Sequence, residues 1–158
     1  MNLYPETAYR PNVGLAVFSK RGDVLLGRRR QGGAFAWQMP QGGIDAGETP
    51  KEAALRELEE EIGVVPDLVE FLEETPDWLR YDFPEQEMRR GVWRGQRQKW
   101  FAFRFLGKDR DIVLDRHTPE FDDWRWAQLA QAPSQIIAFK RGVYDQIAQR
   151  FARWAKPV

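Results

Sequence analysis

Three glutamates, Glu57, Glu60 and Glu61, stand at offsets of 0, 3 and 4 in GGIDAGETPKEAALRELEEEIGV, residues 42–64. At about 100° per residue they share one arc of a helix. Like charges at these spacings repel by roughly 0.2–0.5 kcal/mol per pair, so a sequence selected for stability alone would not stack them. A positive group belongs there. Their oxygens suit a hard divalent cation, Mg²⁺ or Mn²⁺, which keeps waters and substrate phosphates in its remaining positions. Such an ion neutralises a polyphosphate and activates a water beside it. Taken as charges alone, the same glutamates also read as a solvated acidic surface. Arg56 lies between Glu52 at i−4 and Glu60 at i+4. It is expected to brace the helix surface while leaving Glu57 and Glu61 free.

The helix that must carry these side chains is bounded by its own residues. Thr49 precedes Glu52 by three positions with Pro50 between them, a capping box with proline at the first helical position. Gly63 follows the last periodic residue, where a left-handed cap takes glycine, so the helix is predicted over 50–62. Leu55, Leu58 and Ile62 fall on a different arc, which can face a core.

The spacing of the stretch resembles the Nudix box, G-x5-E-x7-R-E-U-x-E-E-x-G-U with U aliphatic. Gly42, Glu48, Arg56, Glu57, Leu58, Glu60, Glu61, Gly63 and Val64 fill every fixed position. The resemblance implies a loop, helix and loop that bind divalent metal and hydrolyse a nucleoside diphosphate linked to another group. It implies Glu57, Glu60 and Glu61 as metal ligands, with a backbone carbonyl near Gln41 completing the shell and more than one ion once substrate is bound. Glu48 is then expected to pair with Arg56 and lock the loop onto the helix. The implied mechanism is attack of an activated water on phosphorus. Glu57 is the first choice of general base and Glu120, in TPEF, the second carboxylate.

Segments outside the box resemble one branch of the family, the bacterial RNA pyrophosphohydrolases, related to the dinucleoside polyphosphate hydrolases of bacteria and plants. They are residues 9–14 (YRPNVG), 37–44 (WQMPQGGI), 78–81 (WLRY), 95–101 (GQRQKWF), 118–121 (TPEF), 124–126 (WRW) and 139–141 (FKR). This likeness implies release of pyrophosphate from a 5′-triphosphorylated RNA, leaving a 5′-monophosphate. The alternative is asymmetric cleavage of diadenosine tetraphosphate. A catalytically silent Nudix-fold module that binds RNA or nucleotide is the reading from another class; a complete set of box carboxylates stands against it. By resemblance, Arg10 and Arg29 contact phosphate and Lys140 the backbone or terminal phosphate. Tyr81, Gln96, Lys99 and Phe139 belong to the substrate cleft, with Phe139 the stacking platform. Without the resemblance Arg29 is one of three adjacent arginines at a strand end, Phe139 a core staple, Trp37 packing and His117 a solvated loop residue. The expected partner is an RNA 5′ end or a nucleoside polyphosphate, with no DNA or membrane partner and protein partners unspecified.

The length, 158 residues, predicts one domain over 1–158. Acids and bases balance at 24 each, yet residues 88–104 hold six bases and no acid while the box helix is strongly acidic. Absence of cysteine excludes disulfides and thiolate metal sites. The opening residues have no apolar h-region and no stretch approaches the ~18 apolar residues of a membrane span, so a cytoplasmic protein is expected.

Periodicity and turn residues predict strands over 12–19, 23–30, 36–39, 68–74, 78–83, 98–106 and 121–127. Those at 68–74 and 78–83 are joined by a turn at 75–77, and Trp124 and Trp126 share one face of the last. Residues 84–96 read as a long polar loop. A short helical turn over 128–132 is stopped by Pro133, and an amphipathic helix over 141–154 docks Val143, Ile147 and Phe151 on the sheet. Most of the seven tryptophans are expected in the core. The fold class is α+β with a mixed sheet, and the box implies an α/β/α Nudix sandwich flanked by the box helix and the C-terminal helix.

Overall fold

The computed structural model describes residues 4–158, leaving aside the side chains of residues 88–90. Its strands are β1 (Tyr9–Phe18), β2 (Val24–Arg29), β3 (Trp37–Gln38), β4 (Gln41–Gly43), β5 (Val69–Glu74), β6 (Leu79–Asp82), β7 (Gly95–Phe105) and β8 (Phe121–Ala127). Its helices are α1 (Pro50–Ile62), α2 (Glu85–Arg90), α3 (Ala132–Gln135) and α4 (Arg141–Arg150). All eight strands join one mixed sheet with the path β3-β2-β1-β7-β5. β1 and β7 run parallel at its centre, from Tyr9↔Gly95 to Phe18↔Arg104.

Strand alternation divides the apolar side chains between two layers. Val13, Leu15 and Val17 of β1 and Phe101, Phe103 and Phe105 of β7 meet Ala53, Ala54, Leu58 and Ile62 of α1. Ala16, Phe18, Trp100 and Ala102 face the other way, onto Val143, Tyr144 and Ile147 of α4 and onto Phe151. Each large side chain so buried contributes about 1.5–3 kcal/mol. The result is the expected α+β sandwich, a mixed sheet with a helix on each face.

One irregularity of the sheet makes room for a site. β1 pairs with β2 at Phe18↔Val24, but toward its start its partner is β4, through Asn12↔Gly43 and Gly14↔Gln41. β2 turns instead to β3 and β8. The two strands therefore diverge and leave a slot between them. Gly14 lies in this region because a Cβ there would stand 2.3 Å from the Trp100 ring.

Several expectations need correction. The stretch read as a loop over 84–96 contains α2, started by Pro84 with Glu85 and Glu87 in its first turn, and β7 begins already at Gly95. β5 and β6, joined through 75–77 as expected, both add to the same edge of β7, one after the other. The short turn expected over 128–132 is present as a 3-10 turn, Leu129–Gln131, but Pro133 does not stop it and instead lies in the first turn of α3, since its missing N–H costs nothing there. The last helix ends at Arg150 and continues as a 3-10 turn, Ala152–Trp154. Of the seven tryptophans, Trp100 is fully buried and Trp37, Trp124, Trp126 and Trp154 pack against the two cores, so most serve the core as expected. Trp37 lies half-buried with Arg28 and Arg125 over its ring at 5.8 and 4.3 Å. Among the described residues no helix is long and apolar enough to cross a membrane.

Candidate active site

α1 has the predicted ends. The Thr49 hydroxyl accepts from the Glu52 N–H at 3.2 Å, the Glu52 carboxylate accepts from the Thr49 N–H at 3.0 Å, and Gly63 closes the helix at φ 70°. Glu48 accepts two hydrogen bonds from Arg56, Nε at 2.7 Å and Nη2 at 2.9 Å, while Nη2 also reaches the Gly43 carbonyl at 2.8 Å. This locks the loop onto the helix as the box implies. These hydrogen bonds from Arg56 and the Asp45 N–H hold the Glu48 carboxyl down to about 2.

The expectation that Arg56 leaves Glu57 free is overturned. Its Nη1 donates to Glu57 Oε1 at 2.8 Å and to Glu60 Oε2 at 3.1 Å. Glu52 is not its partner, because that carboxylate turns back to cap the helix. Glu57 and Glu61 are 8% and 7% exposed. Burial pushes both carboxyls up, Glu61 well above the usual range with the charges of Glu57 and Glu120 adding to it, while Arg56 opposes the rise at Glu57. The backbone of β4 passes directly against this pair: a Cβ on Gly42 would lie 2.0 Å from the Glu57 carboxyl carbon. Only glycine fits.

These glutamates form one wall of a cleft of about 580 Å³ in the slot between β1 and β2. Glu60 and Glu120 extend that wall, and Arg10, Arg29 and Lys140 bring positive charge to the same cleft. Asn12, Gln38, Gln41 and Gln96 add amides to its lining. Lys140 is 7% exposed, with its amine 3.4 Å from Gln38 Oε1. Burial, aided by the charge of Arg29, draws that amine down to about 8.

Of the residues singled out from sequence, Glu57, Glu60, Glu61, Gln41, Glu120, Arg10, Arg29, Gln96 and Lys140 are brought together, with Glu48 and Arg56 bracing them from outside. Three others are not in the lining. Tyr81 stands behind it, donating its hydroxyl to Gln96 Oε1, with its ring 5.7 Å from the Lys140 amine. Phe139 packs on Tyr81 and Phe83 at 5.6 and 6.4 Å, in an aromatic cluster beside the α4 core. Lys99 lies on the opposite face of β7 from Gln96 and Gln98, as strand alternation requires. Its amine donates to the carbonyls of Thr75 and Pro76 at 3.1 and 2.8 Å.

Sequence reasoning missed Asn12, Gln38 and Gln98. Gln98 Nε2 donates to Asn12 Oδ1 at 2.8 Å and to Gln41 Oε1 at 3.3 Å, and Gln98 Oε1 accepts from the Trp100 indole at 3.0 Å. Gln41 in turn donates to Gln96 at 3.3 Å. A buried amide needs partners, so two glutamines at alternate positions of an otherwise aromatic strand were the available signal. His117 and Thr118 also line the cleft, His117 exposed to solvent as expected.

The family model of the NUDIX domain matches residues 8–147 of the 158. The chain belongs to the Nudix family. It is 52% identical over 154 residues to the RNA pyrophosphohydrolase of Acidiphilium cryptum (strain JF-5), covering 94% of this chain and 93% of that one. Against the RNA pyrophosphohydrolase of Rhodospirillum rubrum it is 51% identical over 153 residues, 94% and 90% of the two chains. The E. coli dihydroneopterin triphosphate pyrophosphohydrolase superposes with a TM-score of 0.70 at 19% identity, covering 90% of this chain and 98% of that one. A C. elegans Ap4A hydrolase binary complex gives 0.67 at 20%, with 91% and 98% covered. These two show the Nudix fold.

Nudix hydrolases generally use divalent metal ions, and the donor set here fits one. Two buried carboxylates crowded together, with Glu60 and Glu120 near, are hard oxygen donors whose mutual repulsion a cation relieves. Glu57 and Glu61 are the nearest pair. Arg56 holds Glu60 to one side, and among the described residues no three acidic groups converge on a single point.

Proposed function

We propose that this Nudix hydrolase is an RNA 5′ pyrophosphohydrolase, converting 5′-triphosphorylated RNA to 5′-monophosphorylated RNA and pyrophosphate, and that residues 1–158 form one catalytic domain. The observation that carries the reading is a cleft in which buried carboxylates and the cations Arg10, Arg29 and Lys140 line a common space. That pattern suits a polyphosphate: its charge requires cations, and the reaction requires acidic groups beside them. The substrate comes from relatives about half identical over nine-tenths of both chains.

In this reading one water adds its oxygen to phosphorus, the anhydride bond between the α- and β-phosphates breaks, and pyrophosphate departs. Arg10 and Arg29 hold non-bridging oxygens, and Lys140 receives the terminal or backbone phosphate. A divalent ion, Mg²⁺ or Mn²⁺, with more than one present beside substrate, would sit against Glu57 and Glu61, with Glu60 joining them, and supply charge neutralisation and a more acidic water. Glu57 takes the proton, with Glu120 as the second carboxylate within the cleft. Arg56 and Glu48 fix the orientation of Glu57. The amide chain from Gln98 through Gln41 to Gln96 sets the floor on which the first nucleotide rests, backed by Tyr81 and Phe139.

The test is release of pyrophosphate from 5′-triphosphorylated RNA in the presence of Mg²⁺, run beside diadenosine tetraphosphate. Retention of the β- and γ-phosphates on the RNA overturns the proposal. Faster turnover of the dinucleotide assigns the enzyme to dinucleoside polyphosphates.

A further inference from the structure

The face of β6 and β7 turned away from the cleft repeats, with the opposite sign, the oddity of the α1 glutamates. Arg80 and Arg97 stand directly opposite one another in the antiparallel β6–β7 pair, where like charges are destabilising. Lys99 follows two residues on along β7. The α1 core on this face ends at Phe101, so the three cations lie beyond the cover that α1 provides.

Each cation is held by a ring. The Arg97 guanidinium lies 4.3 Å from the Trp78 ring centre with Lys99 5.7 Å from the same ring; Arg80 lies 5.2 Å from Tyr9 and Arg94 3.6 Å from Tyr4. Arg80 meets Glu6 at 4.0 Å and Lys99 meets Glu74 at 3.8 Å. Among the described residues no carboxylate pairs with Arg94 or Arg97, and the buried Nε of each lacks a hydrogen-bond partner. A guanidinium fixed on an aromatic face, with no carboxylate to neutralise it, is set to receive a phosphate through its terminal nitrogens.

Parallel register ties this face to the cleft. Arg10 and Gln96, which line the cleft, are paired across β1 and β7, and the next register pair is Pro11↔Arg97. Both pairs lie at the starts of β1 and β7, so a strand leaving the cleft round that end of the sheet reaches Arg97 on the reverse side. Beside it Trp93 and Val92 are 37% and 92% exposed.

We propose that the ring-stacked arginines Arg80, Arg94 and Arg97 form a docking track for the single-stranded RNA downstream of the 5′ end, holding its phosphates on the outer face of β6 and β7. Cations interleaved with aromatic residues are the chemistry of sequence-tolerant single-strand binding. The inference rests on RNA being the substrate.

The experiment compares two triphosphorylated substrates, a dinucleotide and an RNA of roughly twenty nucleotides, which exceeds the ~4–16 nucleotides such a site spans. Wild type is set beside the Arg94→Ala/Arg97→Ala double variant and the single Arg97→Glu. The expected result is a roughly tenfold higher KM for the long RNA, with a salt dependence shallower by about 1.4 in log–log slope for two lost phosphate contacts. Kinetics on the dinucleotide stay at the wild-type level, which also verifies that the variants fold. Wild-type kinetics of both variants on the long RNA overturn the track, and give the face to another occupant such as a protein, while leaving the substrate assignment standing. A wild-type enzyme that converts neither RNA overturns the substrate assignment and the track together.

Discussion

The two walls of the cleft are built in different ways. The acidic wall is local in sequence: Gly42, Gly43, Glu48 and Arg56 fix Glu57, and all belong to β4, the loop after it and α1. The facing side draws Arg10 from β1, Arg29 from the end of β2 and Lys140 from the turn before α4. It exists only once the sheet has assembled. Local walls can be damaged one atom at a time, whereas a wall assembled from distant segments tolerates changes that leave its scaffold intact.

The largest effect should come from the local wall. Glu57→Gln or Glu61→Gln is expected to lower kcat by roughly 10²–10⁴-fold. Glu61→Gln should also raise the melting temperature, because burial already disfavours the ionised carboxyl. Calorimetry showing Glu61→Gln to be less stable than wild type would mean that its charge is compensated. Next comes Gly42→Ala. A methyl group 2.0 Å from the Glu57 carboxyl carbon must displace it, and a misplacement of about 1 Å costs about 10²-fold. Activity within twofold of wild type would show that the glutamate has other room.

The facing side should respond more mildly and with opposite signs for activity and stability. Lys140→Met is expected to raise KM about tenfold while stabilising the fold, since a buried amine is exchanged for an apolar chain. The wild-type KM should rise as pH passes about 8, where Lys140 loses its proton, and the variant should lack that inflection. For stability the sign is as follows. An unfolded lysine keeps its proton to an ordinary value of 10.5 and the folded one to about 8. Between these values the unfolded chain binds more protons, so this group adds stability as pH rises. The smallest effect is Lys99→Ala, within about twofold in kcat/KM, because its amine is spent on the carbonyls of Thr75 and Pro76. A tenfold loss would place Lys99 in substrate binding after all.

The same contrast explains what could be read from the sequence. The ends of α1 are written in Thr49, Pro50, Glu52 and Gly63, each acting on a neighbour within a few positions, and the helix lies at Pro50–Ile62 as the spacing predicts. β8 likewise spans Phe121–Ala127, with Trp124 and Trp126 edge to face at 5.5 Å. Lys99 could not be placed without the phase of β7, which fixes which side chains face the cleft; the glutamines at 96 and 98 carry that phase. Phe139 was legible as an aromatic residue near a helix start, but its contacts with Tyr81 and Phe83 depend on how the turn before α4 meets β6. Most tryptophans serve the core as expected, and Trp78, under Arg97 and Lys99, is a ring that sequence alone could not tell from them.

Arg56 carries a consequence for how the enzyme is prepared for work. By standing between Glu57 and Glu60 it acts as an internal counter-ion, so α1 can reach its final shape without waiting for a metal. Small zinc domains are the opposite case, since they stay unfolded until loaded. Folding of this protein is therefore expected not to require the ion, and a chelator should leave its melting transition in place.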